Sequence, residues 1–255
     1  VNRLPGVEDF ILANRDDLVK SEFMSVGEVR TLHIADSRFP PPSGRVGFIQ
    51  EPGYKLRAVA NPHRGLQYLL TPLKTSLLMK LRSCKNDCTF NQSKGWLWAQ
   101  SQLQKGKPLG SVDLSDATNL FPLSFQLEIL SNSYREDPFM LKQVLLFKNA
   151  SEGLWAVDKE HSIRWSKGQP LGLAPSFPSF ALAHHAVMMR VMYSYHCDHG
   201  FSKTLNKEVL VNFDKFLSTP MPYKILGDDI VMSQKYEVKY RRFMRRLGCK
   251  ISEDK

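Results

Sequence analysis

Hydrophobic and polar positions along this chain change period several times, and each change marks an element. From 45 to 61 the pattern is strand-like: Val46, Phe48 and Ile49 precede Glu51-Pro52-Gly53, and Leu56, Ala58 and Val59 follow it. Two strands about a turn are predicted there. Lys55 and Arg57 alternate with Leu56 and Ala58, so the two cations share one strand face. The period lengthens over 65–82, where Leu66, Leu69, Leu70, Leu73, Leu77 and Leu78 predict a helix that Pro72 kinks or restarts. A short helix over 96–104 ends at Gly106, and amphipathic helices follow over 123–133 and 138–148. Residues 154–165 alternate around Asp158-Lys159-Glu160, a hairpin signature. A loop punctuated by Gly168, Pro170, Gly172 and Pro175 then feeds a long apolar helix running through Tyr193. The last helix, 236–247, shows a basic face of Lys239, Arg241, Arg242, Arg245 and Arg246, with Gly248 as its cap and a strand over 249–252. Residues 1–44 form an extension closed by the Pro40-Pro41-Pro42-Ser43-Gly44 break.

The most informative local feature is Gly227-Asp228-Asp229, set between apolar Tyr223, Ile225, Leu226 and Ile230, Val231, Met232. Apolar runs on both sides of a glycine and two acids predict a tight hairpin tip. Adjacent carboxylates repel unless a cation sits between them, and such hard oxygen ligands select Mg²⁺ or Mn²⁺. A second acid, Asp113, ends the strand-like run Gly110-Ser111-Val112. It lies 115 residues from Asp228, so only the fold can join them. Two such carboxylate sites are the minimum for a two-metal phosphoryl-transfer centre. Lys55 and Arg57 beside a glycine turn suit a triphosphate, although an exposed strand edge with ordinary charges explains them as well. The amides of the Gly168–Gly172 loop can approach a backbone or nucleotide closely; a simple helix-entry loop has the same pattern.

Composition supports a folded chain with a polyanionic partner. In 255 residues, 42% are hydrophobic and 11% aromatic, and 35 basic against 25 acidic residues leave a net charge of +10. That balance favours nucleic acid, because cations that neutralise phosphates release counterions. Cys84, Cys88, Cys197 and Cys249 make no disulfide frame and read as reduced thiols. His184-His185, in an apolar run, read as partly buried helix histidines rather than metal ligands. No apolar stretch is long enough to span a bilayer.

Taken in order, these segments resemble the motifs of viral RNA-dependent RNA polymerases, most closely the ourmia-like, narna-like and mitovirus-like branch. Glu51–Pro62 is similar to the basic fingers motif F, and 111–122 to motif A. Residues 168–185 are similar to motif B, 223–232 to motif C and 236–255 to motif D. The resemblance implies an α+β fold, a right-hand polymerase palm with a small antiparallel sheet backed by helices. Fingers would be built from 45–109 and 134–165, and the palm from 110–133 and 166–255. Members of the family continue past Lys255 into a primer grip and thumb, so the chain reads as a piece without a thumb, with weak or no processive synthesis. The resemblance further implies Mg²⁺ or Mn²⁺ on Asp113, Asp228 and Asp229, and triphosphate contacts from Lys55 and Arg57. Gly168, Gln169 and Gly172 would form the flexible loop at the templating pair, with Ser176 near the ribose. Lys255 stands where the motif D lysine would protonate pyrophosphate. Asn119 replaces an acid that in relatives recognises the ribose 2′-hydroxyl. Partners would be an RNA template, nascent RNA and NTPs, in the host cytoplasm or mitochondrion. Two rival readings are a reverse transcriptase-like palm and a catalytically silent RNA-binding viral remnant; a basic binding module with a chance GDD turn is the third.

Overall fold

The computed structural model describes residues 32–33, 42–53, 55–199, 216–218 and 220–252. Helices and small antiparallel sheets are interleaved along the chain, an α+β arrangement. Strand β1 (Leu32–His33) stands at one edge of a five-stranded sheet. The alternating run forms β2 (Gly44–Glu51) and β3 (Lys55–Pro62), paired antiparallel from Gly44↔Pro62 to Glu51↔Lys55. The turn between them needs Gly53, whose φ is 81°.

The leucine-rich stretch divides at Leu70 into α1 (Arg64–Leu69) and α2 (Thr71–Ser83). Pro72 causes the break, standing in the first turn of α2 where its missing N–H costs nothing. Then come α3 (Ser93–Gln104), β4 (Leu109–Val112), β5 (Leu114–Ser115), α4 (Ala117–Leu120) and α5 (Leu123–Ser133). Helix α6 (Pro138–Glu152) runs a turn further than its pattern predicts, started by the Asp137 carboxylate on the Met140 amide at 3.0 Å. The predicted hairpin is β6 (Trp155–Ala156) with β7 (His161–Ile163). It joins the β2–β3 pair, giving the order β1-β7-β6-β2-β3. Within the leading extension, Leu32–His33 pairs with β7.

Helix α7 (Ser176–His199) is the centre of the core. Phe180, Leu182, Val187, Met188, Met189, Val191 and Met192 are all buried, as expected of a helix apolar on every side. It packs against α2, α5 and the last helix. No helix among the described residues is long and apolar enough to cross a membrane. Strands β8 (Tyr223–Leu226) and β9 (Asp229–Ser233) complete a three-stranded antiparallel sheet of order β4-β9-β8. A 3₁₀ turn (Gln234–Tyr236) leads into α8 (Glu237–Arg246), and Gly248, with φ 69°, turns the chain into β10 (Lys250–Ile251). Strand β10 pairs with β5.

Candidate active site

The three-stranded sheet brings the distant acids to one end. In the β4–β9 ladder Leu109 faces Ser233 and Val112 faces Ile230. The ladder ends there, so Asp113 and Asp229 are the residues that directly follow and precede its last pair. On the other side of β9, Leu226↔Asp229 closes a two-residue hairpin loop, Gly227-Asp228. Gly227 has φ 59°, the positive value that a primed hairpin turn demands at its first central residue. A β-carbon there would also press on the Phe177 ring, about 3.0 Å away. Asp228 and Asp229 are exposed at the tip and Asp113 is half-buried. Asp113 is further fixed by its carbonyl, which accepts from the Ser252 amide at 2.9 Å.

Two histidines on α7 support this hairpin, and both are fully buried rather than partly so. The His184 Nδ1 lies 2.8 Å from the Gly227 carbonyl, and its Nε2 lies 2.6 Å from the Tyr240 hydroxyl. A carbonyl only accepts, so Nδ1 carries the proton and Nε2 accepts from the tyrosine. Burial pulls the His184 pKa down to about 4 and pushes Tyr240 well above its ordinary value, so neither is charged at neutral pH. His185 is the opposite case. Burial opposes its charge, but Cys84, Tyr223 and the Asp87 carboxylate outweigh burial and carry its pKa well above the usual. Its Nε2 stands 3.1 Å from Asp87 Oδ2 and its Nδ1 3.1 Å from the Tyr223 hydroxyl. Residues 86–88 lie along the outer edge of β8, where Ile225 donates to the Asn86 carbonyl and accepts from the Cys88 amide. The hairpin is thus held on its outer edge and from the α7 side. Only residue type and position marked the histidines in sequence, since an apolar run does not say which polar partner a fold delivers.

The glycine loop is stapled between motif-like neighbours. The Gly168 amide donates to the Asn119 carbonyl at 3.1 Å, and the Gln169 amide to the Thr118 carbonyl at 2.8 Å. A β-carbon at Gly168 would collide with both carbonyls. Gly172 has φ 131°, and a β-carbon on it would run into the Ala60 carbonyl of β3. Ala60 also donates its amide to the Leu171 carbonyl at 2.8 Å. Gln67, unremarked in sequence, grips the same loop: it donates to the Gly172 carbonyl at 2.7 Å and accepts from the Ala174 amide at 2.8 Å. Gln169 and Ser176 are buried and turn inward. Gln169 donates to Gln126 Oε1 at 2.9 Å and to the Ser176 carbonyl at 2.8 Å; the Ser176 hydroxyl donates to the Pro170 carbonyl at 2.6 Å.

Asn119 is already engaged, accepting from the Trp165 indole and donating to Asp116 Oδ1, each at 2.6 Å. Asp116, at the entry to α4, is the sole non-glycine of positive φ among the described residues, at 53°. Strain of that kind collects at functional sites. Arg57 is exposed on the β3 face it shares with Ile49, its partner in register. Lys55 pairs with Glu51 in the β2–β3 ladder, but its side chain lies outside the described residues, as does Lys255.

The donor set suits a hard divalent cation: three carboxylates at the exposed end of one sheet and no competing thiolate or imidazole among them. Among the described residues no three His, Cys, Asp or Glu side chains are gathered closely enough to cage an ion. Mg²⁺ needs no such cage, because it is bound through one or two carboxylates together with substrate phosphates.

A three-stranded antiparallel sheet with acids at one end, backed by long helices, is a polymerase palm. Solved structures agree in fold. The RNA-dependent RNA polymerase of a human picobirnavirus, as an insertion-loop deletion mutant, superposes with a TM-score of 0.61 at 14% identity over 82% of this chain and 40% of that one. Apo telomerase from Candida tropicalis gives 0.55 at 12% identity over 88% and 51%. Sequence assigns the family. Residues 9–198 match the mitovirus RNA-dependent RNA polymerase model, and the chain belongs to that family. The RNA-directed RNA polymerase of Cryphonectria parasitica mitovirus 1 is 25% identical over 221 residues, 84% of this chain and 24% of the relative. An uncharacterized mitochondrial protein of Arabidopsis thaliana is 28% identical over 180 residues, 68% of this chain and 76% of the relative. The chain thus spans about a quarter of the curated polymerase it matches.

Proposed function

We propose that this chain carries the catalytic palm of an RNA-templated RNA polymerase. The observation that supports it most strongly is the β4–β9 register, which ends at Val112↔Ile230 next to Asp113 and to the Gly227-Asp228 turn, across 115 residues of chain from Asp113 to Asp228. In this reading 110–133 and 166–255 are palm, and 45–109 with 134–165 are fingers. The β2–β6 pairing supports the latter grouping, because it puts residues from both finger segments in one sheet. Asp113 and Asp228 would hold two divalent ions, with Asp229 supporting the primer side. When bound, Mg²⁺ or Mn²⁺ lowers the cost of the charge that develops on attacking and leaving oxygens. Arg57 and Lys55 neutralise the triphosphate from the fingers side, and Lys255 supplies a proton to pyrophosphate. Asn119, held by Trp165 and Asp116, shapes the ribose side of the site from behind. Gln169 and Ser176 contribute by shaping the Gly168–Gly172 loop from within rather than by touching the nucleotide. The product is RNA extended by one NMP, with pyrophosphate released. The setting is the mitochondrion, on the strength of the relatives.

The telomerase likeness keeps a reverse-transcriptase reading open to test, and substrate choice separates the two. A short RNA primer–template offered NTPs or dNTPs is extended with NTPs only; extension with dNTPs alone would overturn the assignment. The Arabidopsis relative, matched over most of its length, favours one second reading, an RNA-binding remnant without catalysis. A folded chain that binds RNA yet adds no nucleotide would establish that remnant.

A further inference from the structure

We propose that His184 is a positioning residue for the acid-bearing turn: its Nδ1–H on the Gly227 carbonyl, with the Tyr240 hydroxyl anchoring the ring's other nitrogen, sets how Asp228 leaves the hairpin. This assignment rests on the polymerase reading above. The Gly227 carbonyl and the Asp228 amide belong to one planar peptide unit. Pinning that oxygen at 2.8 Å orients the plane from which Asp228 projects and leaves only the soft dihedrals of Asp228 itself. The reference frame is firm, because His184 sits in the buried middle of α7 and Tyr240 in the buried face of α8. The loop has just two residues, closed by Leu226↔Asp229, so a shift of this peptide passes directly to the acids.

Tautomer is the control. A proton on Nε2 instead of Nδ1 would turn a ring lone pair toward the carbonyl oxygen and convert an attraction into a repulsion. The Gly227 carbonyl, which can only accept, therefore selects Nδ1–H, and the Tyr240 hydroxyl, 2.6 Å from Nε2, donates to the nitrogen left bare and anchors the ring. Partners of this kind around metal-binding side chains typically matter 10–100-fold when removed. The Phe180 ring, 5.7 Å from the imidazole and tilted to it by 40°, packs beside His184 in the core.

The test compares the parent chain with His184→Asn, His184→Leu, Tyr240→Phe and Asp228→Asn. Asparagine can still donate from near the Nδ1 position, leucine cannot, and Tyr240→Phe leaves the imidazole but takes away the buried partner that anchors its Nε2. Three readouts are taken: the His184 tautomer from two-bond ¹H–¹⁵N spectra, Mn²⁺ affinity by titration, and kcat and KM for NTP addition to an RNA primer–template. The expected parent spectrum is neutral with the proton on Nδ1. Tyr240→Phe should lower Mn²⁺ affinity and kcat by about 10-fold while the NTP KM moves less than twofold, and His184→Asn should retain more of both than His184→Leu. An Nε2–H parent, a Tyr240→Phe variant within twofold of an active parent, or His184→Asn no better than His184→Leu would overturn the role. A parent that adds no nucleotide and binds Mn²⁺ no better than Asp228→Asn would instead overturn the polymerase reading, and this role with it.

Discussion

Replacing Asp87 by alanine should cost this fold more than any exposed acid would. Asp87 and His185 are 1% and 0% exposed and 3.1 Å apart, and the raised His185 pKa makes them a charged pair. Removing one partner of such a pair leaves an uncompensated buried charge, a cost of about 3–5 kcal/mol. The Thr89 amide, which donates to Asp87 Oδ1 at 2.9 Å, also loses its acceptor, adding about 1 kcal/mol. In a chain of this size each kcal/mol shifts Tm by about 2–4 °C, so unfolding by circular dichroism should move down by roughly 8–24 °C. The pH dependence carries a sign. A histidine raised in the folded state contributes stability that is fully present below its unfolded value, about 6.5, and lost as pH climbs through the folded value. Urea denaturation of the parent should therefore weaken on the alkaline side, and Asp87→Asn, which keeps the Thr89 acceptor but removes the charge, should flatten that slope. A loss under about 1 kcal/mol for Asp87→Ala, or an unchanged alkaline slope in Asp87→Asn, would refute the reasoning.

The adjacent His184 should behave oppositely: with a folded pKa of about 4, stability is full above the unfolded value and lost as pH falls toward 4, by about 3 kcal/mol, and His184→Asn should remove that acid limb in the same urea experiment. Gly172→Ala meets both a φ of 131° and the Ala60 carbonyl; it should destabilise by at least about 1–3 kcal/mol and raise the KM for primer–template, measured by melting and by extension.

Much of the local structure was readable from period and punctuation. The restart at Pro72, the 123–133 helix, the 158–160 turn and the Gly248 cap all follow from short-range sterics that a sequence displays directly. The Gly227-Asp228-Asp229 tip was legible for the same reason, since its apolar flanks and glycine leave few alternatives to a hairpin. Partnerships across the chain were not. That Leu32–His33 adds a strand, that 86–88 edges β8, or that Gln67 holds the Gly172 loop depends on pairings between segments many residues apart, which leave no periodic trace. His184 and His185 illustrate the limit of residue type. They are neighbours in one apolar run, yet a step of about 100° around α7 points one at a neutral carbonyl and hydroxyl and the other at a carboxylate. Ser176 and Asn119 show the converse, since loop and motif position suggested substrate contact, while the fold spends their polar atoms on Pro170, Trp165 and Asp116.

The most direct test of the central claim is Mn²⁺-dependent addition of single NMPs to an RNA primer–template by this chain, alongside Asp113→Asn and Asp228→Asn. The account predicts metal-dependent addition by the parent and its loss in each variant at unchanged folding. Addition that survives either substitution would contradict a site built from those two strand ends.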